Sequence, residues 1–245
     1  IQTQFSVMGS YEFFDGENSD AKVMLDYFTE SFADNDLDST ITSVSLPYTY
    51  YANQYRIRAT PAVMTYSLSG EDVLSYTSGR LDVTRKLGDT KLGAQYGYIK
   101  KSAEEVSFLD YQGNSQNVKT HVTFSDFDSS LRFNLNLFSN NYQDKYTSND
   151  GFYVQASYNQ RFSNTGYRVS AKFKDTQYIA DPLLEGLARN DQQVSISYMQ
   201  DYYLNNITEL YFNSEYVNNH SNVEFSDENY NYNQWVNTLG MRFVF

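Results

Sequence analysis

Large apolar residues recur at every second position along most of this chain. Within residues 131–137 the apolar positions are Leu131, Phe133, Leu135 and Leu137. Arg132, Asn134 and Asn136 lie between them. Successive side chains of a β-strand point to opposite faces, so this pattern predicts strands with one apolar and one polar face. The alternation recurs in residues 91–98, 118–125, 152–162 and 167–174. The chain is therefore predicted to be all-β.

Residues typical of turns divide the chain into about twelve long strands. The predicted strands are 3–14, 39–51, 54–68, 77–88, 91–102, 116–127, 130–142, 151–163, 166–179, 190–203, 207–219 and 231–245. Strands of globular proteins usually have about 5–6 residues, whereas a tilted strand that crosses a bilayer needs roughly 9–11. The predicted lengths favour strands that span a membrane.

The predicted connections alternate in length, which is typical of membrane barrels with tight periplasmic turns and long extracellular loops. The short ones contain Asn, Asp and Gly. The predicted long ones are 15–38, 69–76, 103–115, 143–150, 180–189 and 220–230. Segment 20–31 admits two interpretations. It is either a further strand, which would raise the count to fourteen or exclude residues 1–14 from the barrel wall, or a structured part of the first loop such as a short amphipathic helix. We favour the structured loop.

Composition agrees with a barrel. No run of 18 apolar residues is present, which excludes a transmembrane helix. The mean hydropathy of −0.60 is compatible with a membrane barrel, because only alternate residues of each strand face lipid. Tyr and Phe near strand ends, such as Tyr48, Tyr158 and Tyr167, are typical of interfacial belts. We predict one transmembrane antiparallel up-and-down β-barrel domain over residues 1–245; a soluble sandwich or lipocalin-like barrel is the alternative.

The last strand carries a recognisable pattern. Its apolar residues alternate from Trp235 to the end of the sequence, at Leu239, Met241, Phe243 and Phe245. This stretch resembles the closing strand of Gram-negative outer-membrane β-barrels, which the barrel assembly machinery reads. The resemblance implies a bacterial outer-membrane location, with the lipid bilayer and lipopolysaccharide as partners. It also implies that Leu239, Met241, Phe243 and Phe245 form the assembly signal.

The net charge of −12 argues against a nucleic-acid partner. The charged residues are sorted by position along the strands. The predicted inward face is basic, with Arg56, Arg58, Arg80, Lys91, Lys119, Arg132, Arg161, Arg168, Lys172 and Lys174. A predicted acidic arc opposes it, with Glu12, Asp201, Glu209 and Glu215. Such a transverse field is typical of porins. The basic face also resembles that of twelve-strand channels for acidic oligosaccharides, which implies that its arginines contact the solute.

These features predict an outer-membrane channel for small hydrophilic, anionic solutes. Two other functions stay open. One is a structural barrel that anchors a protein partner or a periplasmic module without an open pore. The other is an outer-membrane lipase or protease, for which His121 and His220, with Asp227 and Glu228, are the candidate residues. His121 falls on the predicted inward face and His220 in the last long loop. No cofactor or metal site is predicted, and the chain has no cysteine.

Overall fold

The computed structural model describes residues 2–32, 38–180, 188–204, 208–223 and 230–243. Within these residues the chain forms fourteen strands in one antiparallel, up-and-down sheet, together with one turn of 3-10 helix at Val106–Tyr111. The strands are β1 Gln2–Gly16, β2 Ser19–Phe32, β3 Ser39–Ser45, β4 Tyr48–Ala52, β5 Tyr55–Leu68, β6 Glu71–Leu87, β7 Thr90–Ala103, β8 Gly113–Ser125, β9 Ser129–Tyr142, β10 Asn149–Phe162, β11 Thr165–Tyr178, β12 Arg189–Tyr203, β13 Thr208–Ser221 and β14 Tyr232–Phe243. The all-β prediction is confirmed, and the strand count is the higher of the two predicted.

Hydrogen bonding follows chain order, with one exception. The order in the sheet is β1-β2-β3-β5 and then β6 to β14, while β4 pairs with β2 and β5, the same neighbours as β3. The fourteen strands therefore fill thirteen places. The predicted strand 39–51 is interrupted at Leu46 and Pro47, because proline has no N–H for the ladder. The Pro47 carbonyl still accepts a hydrogen bond from the Lys22 amide at 3.0 Å.

The interpretation of segment 20–31 as loop is wrong, because these residues lie in β2. Residues from Gln2 to Gly16 of β1 pair with residues from Phe32 back to Ser19 of β2. A two-residue turn, rather than a long loop, joins the strands. The register shifts between Glu12 and Phe14, which places an extra residue in β1 and interrupts its alternation. The sequence pattern near this hairpin is therefore less regular than elsewhere.

The predicted long connection at 69–76 is also wrong. β5 ends at Leu68 and β6 begins at Glu71, so the turn consists of Ser69 and Gly70. Both have positive φ, 51° and 87°. Two consecutive residues with positive φ are typical of tight hairpin turns, whose twist matches that of the flanking strands.

Two compact units share the strands. Unit 1 comprises residues 1–85, 94–118 and 138–148, and unit 2 comprises residues 86–93, 119–137 and 149–245. That residues 1–245 form a single domain stays a prediction. Among the described residues, no helix is long and apolar enough to span a membrane.

Neither unit has a substantial apolar core within the described residues. The buried apolar side chains there are Ala21, Val73, Leu74, Ala180 and Val223, all small or medium in size. Large apolar residues of the strands are instead widely exposed. The apolar faces of the strands must therefore be covered by something other than this chain.

Candidate functional site

Strand β9 shows the distribution of burial most clearly. Its polar residues Asn134 and Asn136 are only 9% and 5% exposed, whereas Phe133 and Leu137 are 47% and 50% exposed. A water-soluble sheet has the opposite arrangement, with apolar side chains inside and polar side chains in solvent. We call the two sides the polar face and the apolar face, defined in β9 by Asn134 and Phe133.

The same arrangement extends across unit 2. Strand pairing places Ala171 beside Ile196, and both side chains lie on the apolar face. Ile196 is exposed, as are Val169 and Val194 on the same face. Ser195, on the polar face, is buried. In unit 2 as in β9, polar side chains are enclosed and apolar side chains are exposed.

Unit 1 repeats this pattern in its first hairpins. Leu25 pairs with Val44 and Val44 with Val63, which aligns three apolar residues on one face. Leu25 and Val63 are exposed. Asp26 and Ser43, the neighbouring pair in the ladder, lie on the other face. Ser43 Oγ donates a hydrogen bond to Asp26 Oδ2 at 3.1 Å. Unit 1 thus also has an exposed apolar face and a hydrogen-bonded polar face.

This distribution has a large energetic consequence. Leaving a Leu, Ile, Val or Phe side chain in water rather than burying it costs roughly 1.5–3 kcal/mol. Native stability is only about 5–15 kcal/mol, so a sheet with exposed apolar residues on strand after strand would not be stable in water. A hydrocarbon environment removes this cost and leaves the polar face as the side that meets water.

The predicted basic residues of unit 1 lie on its polar face. Strand pairing sets Arg58 beside Asp82 and Arg80 beside Thr60. Arg56 follows on the same face, two residues from Arg58. Arg80 Nε donates to Asp82 Oδ2 at 2.9 Å. The three predicted arginines of unit 1 are therefore neighbours on one face, and Asp82 offsets part of their charge.

Strands β10 and β11 bring together four predicted cations of unit 2. Arg161, Arg168, Lys172 and Lys174 share the polar face by strand pairing. The ammonium of Lys172 is 5.0 Å from the ring centroid of Tyr153, and the guanidinium carbon of Arg161 is 5.0 Å from that of Tyr203. Arg168 Nε donates to Asn159 Oδ1. Aromatic and amide groups thus orient these cations.

The other predicted cations of unit 2 lie on neighbouring strands. Arg132 Nε donates to Asn134 Oδ1 at 2.8 Å, which places Arg132 on the polar face. A Cβ built at Gly93 would collide with the His121 ring, so Gly93 and His121 share a face. Lys91 and Lys119 stand two residues from Gly93 and His121 and lie on that same face.

The predicted acidic residues do not separate cleanly from the basic ones. Asp201 pairs with Gly166 and Glu215 with Ser197, on the face of unit 2 that carries Arg168 and Lys172. Glu209 is buried and pairs with Arg242 in the backbone ladder. In unit 1, Glu12 forms an ion pair with Lys22 at 3.6 Å. The opposition of a basic and an acidic arc stays a prediction.

The predicted assembly signal lies at the end of β14. Leu239 and Met241 are exposed on the apolar face, in line with Trp235. Phe243 is the last residue of the strand, and Phe245 lies outside the described residues. Its role in assembly stays a prediction.

Sequence reasoning missed a half-buried cluster in unit 2. The guanidinium of Arg189 lies between two tyrosine rings, 3.8 Å from the centroid of Tyr178 and 4.1 Å from that of Tyr230. Arg189 Nε is also 3.3 Å from Asp191 Oδ2. The sequence pattern predicts Arg189 in a loop, and the two tyrosines are 11 and 41 residues away from it, so no local signal could have revealed that their rings enclose Arg189.

One of the two histidines, His220, does not lie where the sequence predicted it. His121 lies on the polar face of β8, over Gly93, as its predicted inward position requires. His220 was assigned to the last long loop, which is wrong, because β13 extends to Ser221 and His220 pairs with Gln192. Asp227 and Glu228 lie outside the described residues. Among the described residues no three His, Asp or Glu side chains cluster as metal ligands would.

This fold is that of the outer-membrane β-barrels. The chain is similar to a porin, with a TM-score of 0.53 at 10% identity over 97% of this chain and 91% of the porin. It is also similar to the CymD monoaromatic hydrocarbon channel, with a TM-score of 0.51 at 10% identity over 100% of this chain and 86% of that one. A third similar structure is the outer-membrane-expressed OmpT of Vibrio cholerae, with a TM-score of 0.50 at 10% identity over 89% of this chain and 86% of OmpT.

The sequence matches no protein-family model and no curated protein. At these identities the structural likeness shows the fold, and the predicted fold class is confirmed.

Proposed function

We propose that this protein is an outer-membrane channel of the porin type, which passes small hydrophilic, anionic solutes along its polar face. The observation that carries the proposal is the inverted burial in both units, where apolar side chains are exposed and polar side chains enclosed. Lipid around the apolar face would cover the exposed apolar side chains, and a water-filled lumen along the polar face would solvate the enclosed polar side chains.

The charged residues support a wet polar face. A charged side chain placed at the centre of a bilayer costs at least about 2.5–3.5 kcal/mol, so cations such as Arg58, Arg132 and Lys172 belong on the side away from lipid. Arg132 donates to the Asn134 amide, Lys172 lies over the Tyr153 ring, and Arg80 on the same kind of face pairs with Asp82. An excess of positive charge along a lumen attracts anions and raises their local concentration.

The structural likenesses support a channel at a coarse level. Two of the similar proteins are described as a porin and as a monoaromatic hydrocarbon channel. The arginines, lysines and asparagines on the polar face of this chain favour hydrophilic solutes over hydrocarbons. The selectivity for anions rests on those side chains alone.

A location in the outer membrane implies lipid partners and an assembly partner. The exposed apolar face would contact the acyl chains of the outer membrane, with lipopolysaccharide in its outer leaflet. Leu239 and Met241, exposed at the end of β14, are available to the barrel assembly machinery as part of the proposed signal. A structural barrel with a sealed lumen and a hydrolase are the rival functions.

Planar-bilayer recording tests the proposal. Purified protein should give stable conductance steps, and the reversal potential in a salt gradient should indicate a preference for anions. Replacing Lys172 and Lys174 together by Glu should lower the permeability ratio of anion to cation several-fold, because both cations lie on the polar face. The matched control is Lys145→Glu, an exposed position in the connection between β9 and β10.

Each rival predicts a distinct result. Folded protein that never conducts would contradict the channel and favour an anchoring barrel. Lipase or protease turnover that is lost in His121→Ala or His220→Ala would favour the hydrolase. Conductance steps with no preference between anions and cations would contradict the anion-selective role of the polar face. A change in the permeability ratio in Lys145→Glu as large as that in the double variant would contradict it as well.

A further inference from the structure

The polar face of unit 1 contains a recess that no predicted site residue except Arg80 touches. Its floor is made of small residues, Ala62, Ser78 and Gly97, and polar side chains surround it. It encloses about 330 Å³, within the range of small-molecule sites, which begin at about 300 Å³. Strand pairing joins Ala62 to Ser78, next to the pair of Thr60 and Arg80, so the floor belongs to the polar face.

The absence of a side chain at Gly97 creates part of this space. A Cβ built there would collide with Asn117 Oδ1, so the amide of Asn117 lies directly over Gly97. Gln95 lies two residues from Gly97 on the same face and is half-buried. Two amide side chains therefore stand beside a floor that is too small to fill the recess.

The hydroxyl of Thr60 lies in the lining of the recess. Thr60 Oγ1 is buried and makes no hydrogen bond within the described residues. Buried polar groups in native proteins are almost always paired with protein, water or ligand, so this hydroxyl is available to a water molecule or to a solute.

We propose that the recess binds a neutral, polyhydroxylated solute of monosaccharide size during its passage; this inference rests on the proposed channel. A sugar hydroxyl both donates and accepts hydrogen bonds, which suits a site with the Thr60 hydroxyl, two amides and the guanidinium of Arg80. Among the residues that line the recess Arg80 alone is charged, and its ion pair with Asp82 at 2.9 Å offsets that charge. A neutral solute fits this balance better than an anion does.

Saturation-transfer difference NMR on the folded protein in deuterated detergent tests the recess without requiring an open pore. Glucose is the probe, and glucuronate is the charged comparison. We expect a saturable signal with glucose. Ser78→Leu should raise the half-saturating concentration at least tenfold by filling the floor, and Thr60→Ala should raise it several-fold by removing one hydroxyl. Ser195→Leu, a buried serine on the polar face of unit 2, is the matched control and should leave it unchanged.

The outcomes separate the recess from the channel. A signal that does not saturate, or one that Ser78→Leu and Thr60→Ala leave unaltered, would overturn the proposal that the recess is a binding site. Binding of glucuronate alone would overturn the neutral-solute assignment. Saturable glucose binding in a protein that never conducts would support the binding site and contradict the channel. Conductance without glucose binding would support the channel and contradict the binding of a solute in the recess.

Discussion

Gly113 shows how a single residue fixes the start of a strand. It begins β8 with a φ of 155°, and its α-carbon lies against the backbone of the neighbouring segment at Asn141 and Tyr142. A Cβ at this position would lie 2.7 Å from the Tyr142 α-carbon and would also collide with the Asn141 carbonyl oxygen. Backbone atoms cannot move aside as the end of a flexible side chain can, so only glycine fits.

Gly113→Ala should therefore lower the free energy of unfolding by about 1–3 kcal/mol, the usual cost of overpacking. Chemical unfolding in lipid vesicles measures the change. Gly79→Ala is the control, because nothing lies within 4 Å of a Cβ built there. Equal stability of the two variants would contradict the close approach of Gly113 to the neighbouring backbone.

At the scale of the element, the alternation of apolar and polar residues predicted most strands well. The central parts of β9 and β11 alternate regularly, and the bounds of both strands differ from the prediction by at most one residue. The prediction did not include β2, although Val23, Leu25 and Tyr27 recur at every second position, because the apolar Met24 and Phe28 on the other face blur the alternation. The shift near Phe14 and the charges at Asp20, Lys22, Asp26 and Glu30 made the segment look like a loop.

Paired cysteines test whether β2 pairs with β1. Ser10 and Met24 are ladder partners on the polar face. Directly opposed residues in antiparallel strands have α-carbons about 4.5–5.5 Å apart, close enough for a disulfide. Ser10→Cys with Met24→Cys should oxidise to a cross-link visible as a mobility change on a gel without reductant. The chain has no other cysteine to interfere.

The control pair is Ser10→Cys with Phe28→Cys, because Phe28 pairs with Ser6 and lies four residues further along β2. That distance is too long for a disulfide. Cross-linking in both pairs, or in neither, would contradict the pairing of β1 with β2.

At the scale of the whole molecule, the sequence predicted the class of fold but not the details of the polar face. Alternation alone identifies which residues share a face, so the arginines and lysines could be assigned to one side before their partners were known. It could not reveal that Asn117 covers Gly97 or that Tyr178 and Tyr230 enclose Arg189, because these contacts join residues on different strands or loops. The binding recess and the arginine cluster depend on such contacts.

A charge on the apolar face should be costly. Ile196 is exposed at the middle of β12. Arginine at the bilayer midplane of a membrane barrel costs about 2–4 kcal/mol, so Ile196→Arg should reduce the free energy of unfolding in vesicles by that amount. Ser197→Arg, one residue along on the polar face, should cost about 1 kcal/mol or less, mainly through the lost hydrogen bond to Ser170. A larger cost at Ser197 than at Ile196 would reverse our assignment of the faces.

The single tryptophan tests the central claim most directly, since that claim is that lipid covers the apolar face. Trp235 is 66% exposed on this face, packed only partly against Tyr216 at a ring-centroid distance of 5.0 Å. Its fluorescence can be recorded in vesicles whose acyl chains carry bromine and compared with quenching by iodide in the water phase. We predict strong quenching by the brominated chains and little by iodide. Efficient quenching by iodide, with none by bromine, would show that water covers this face and would contradict the membrane barrel.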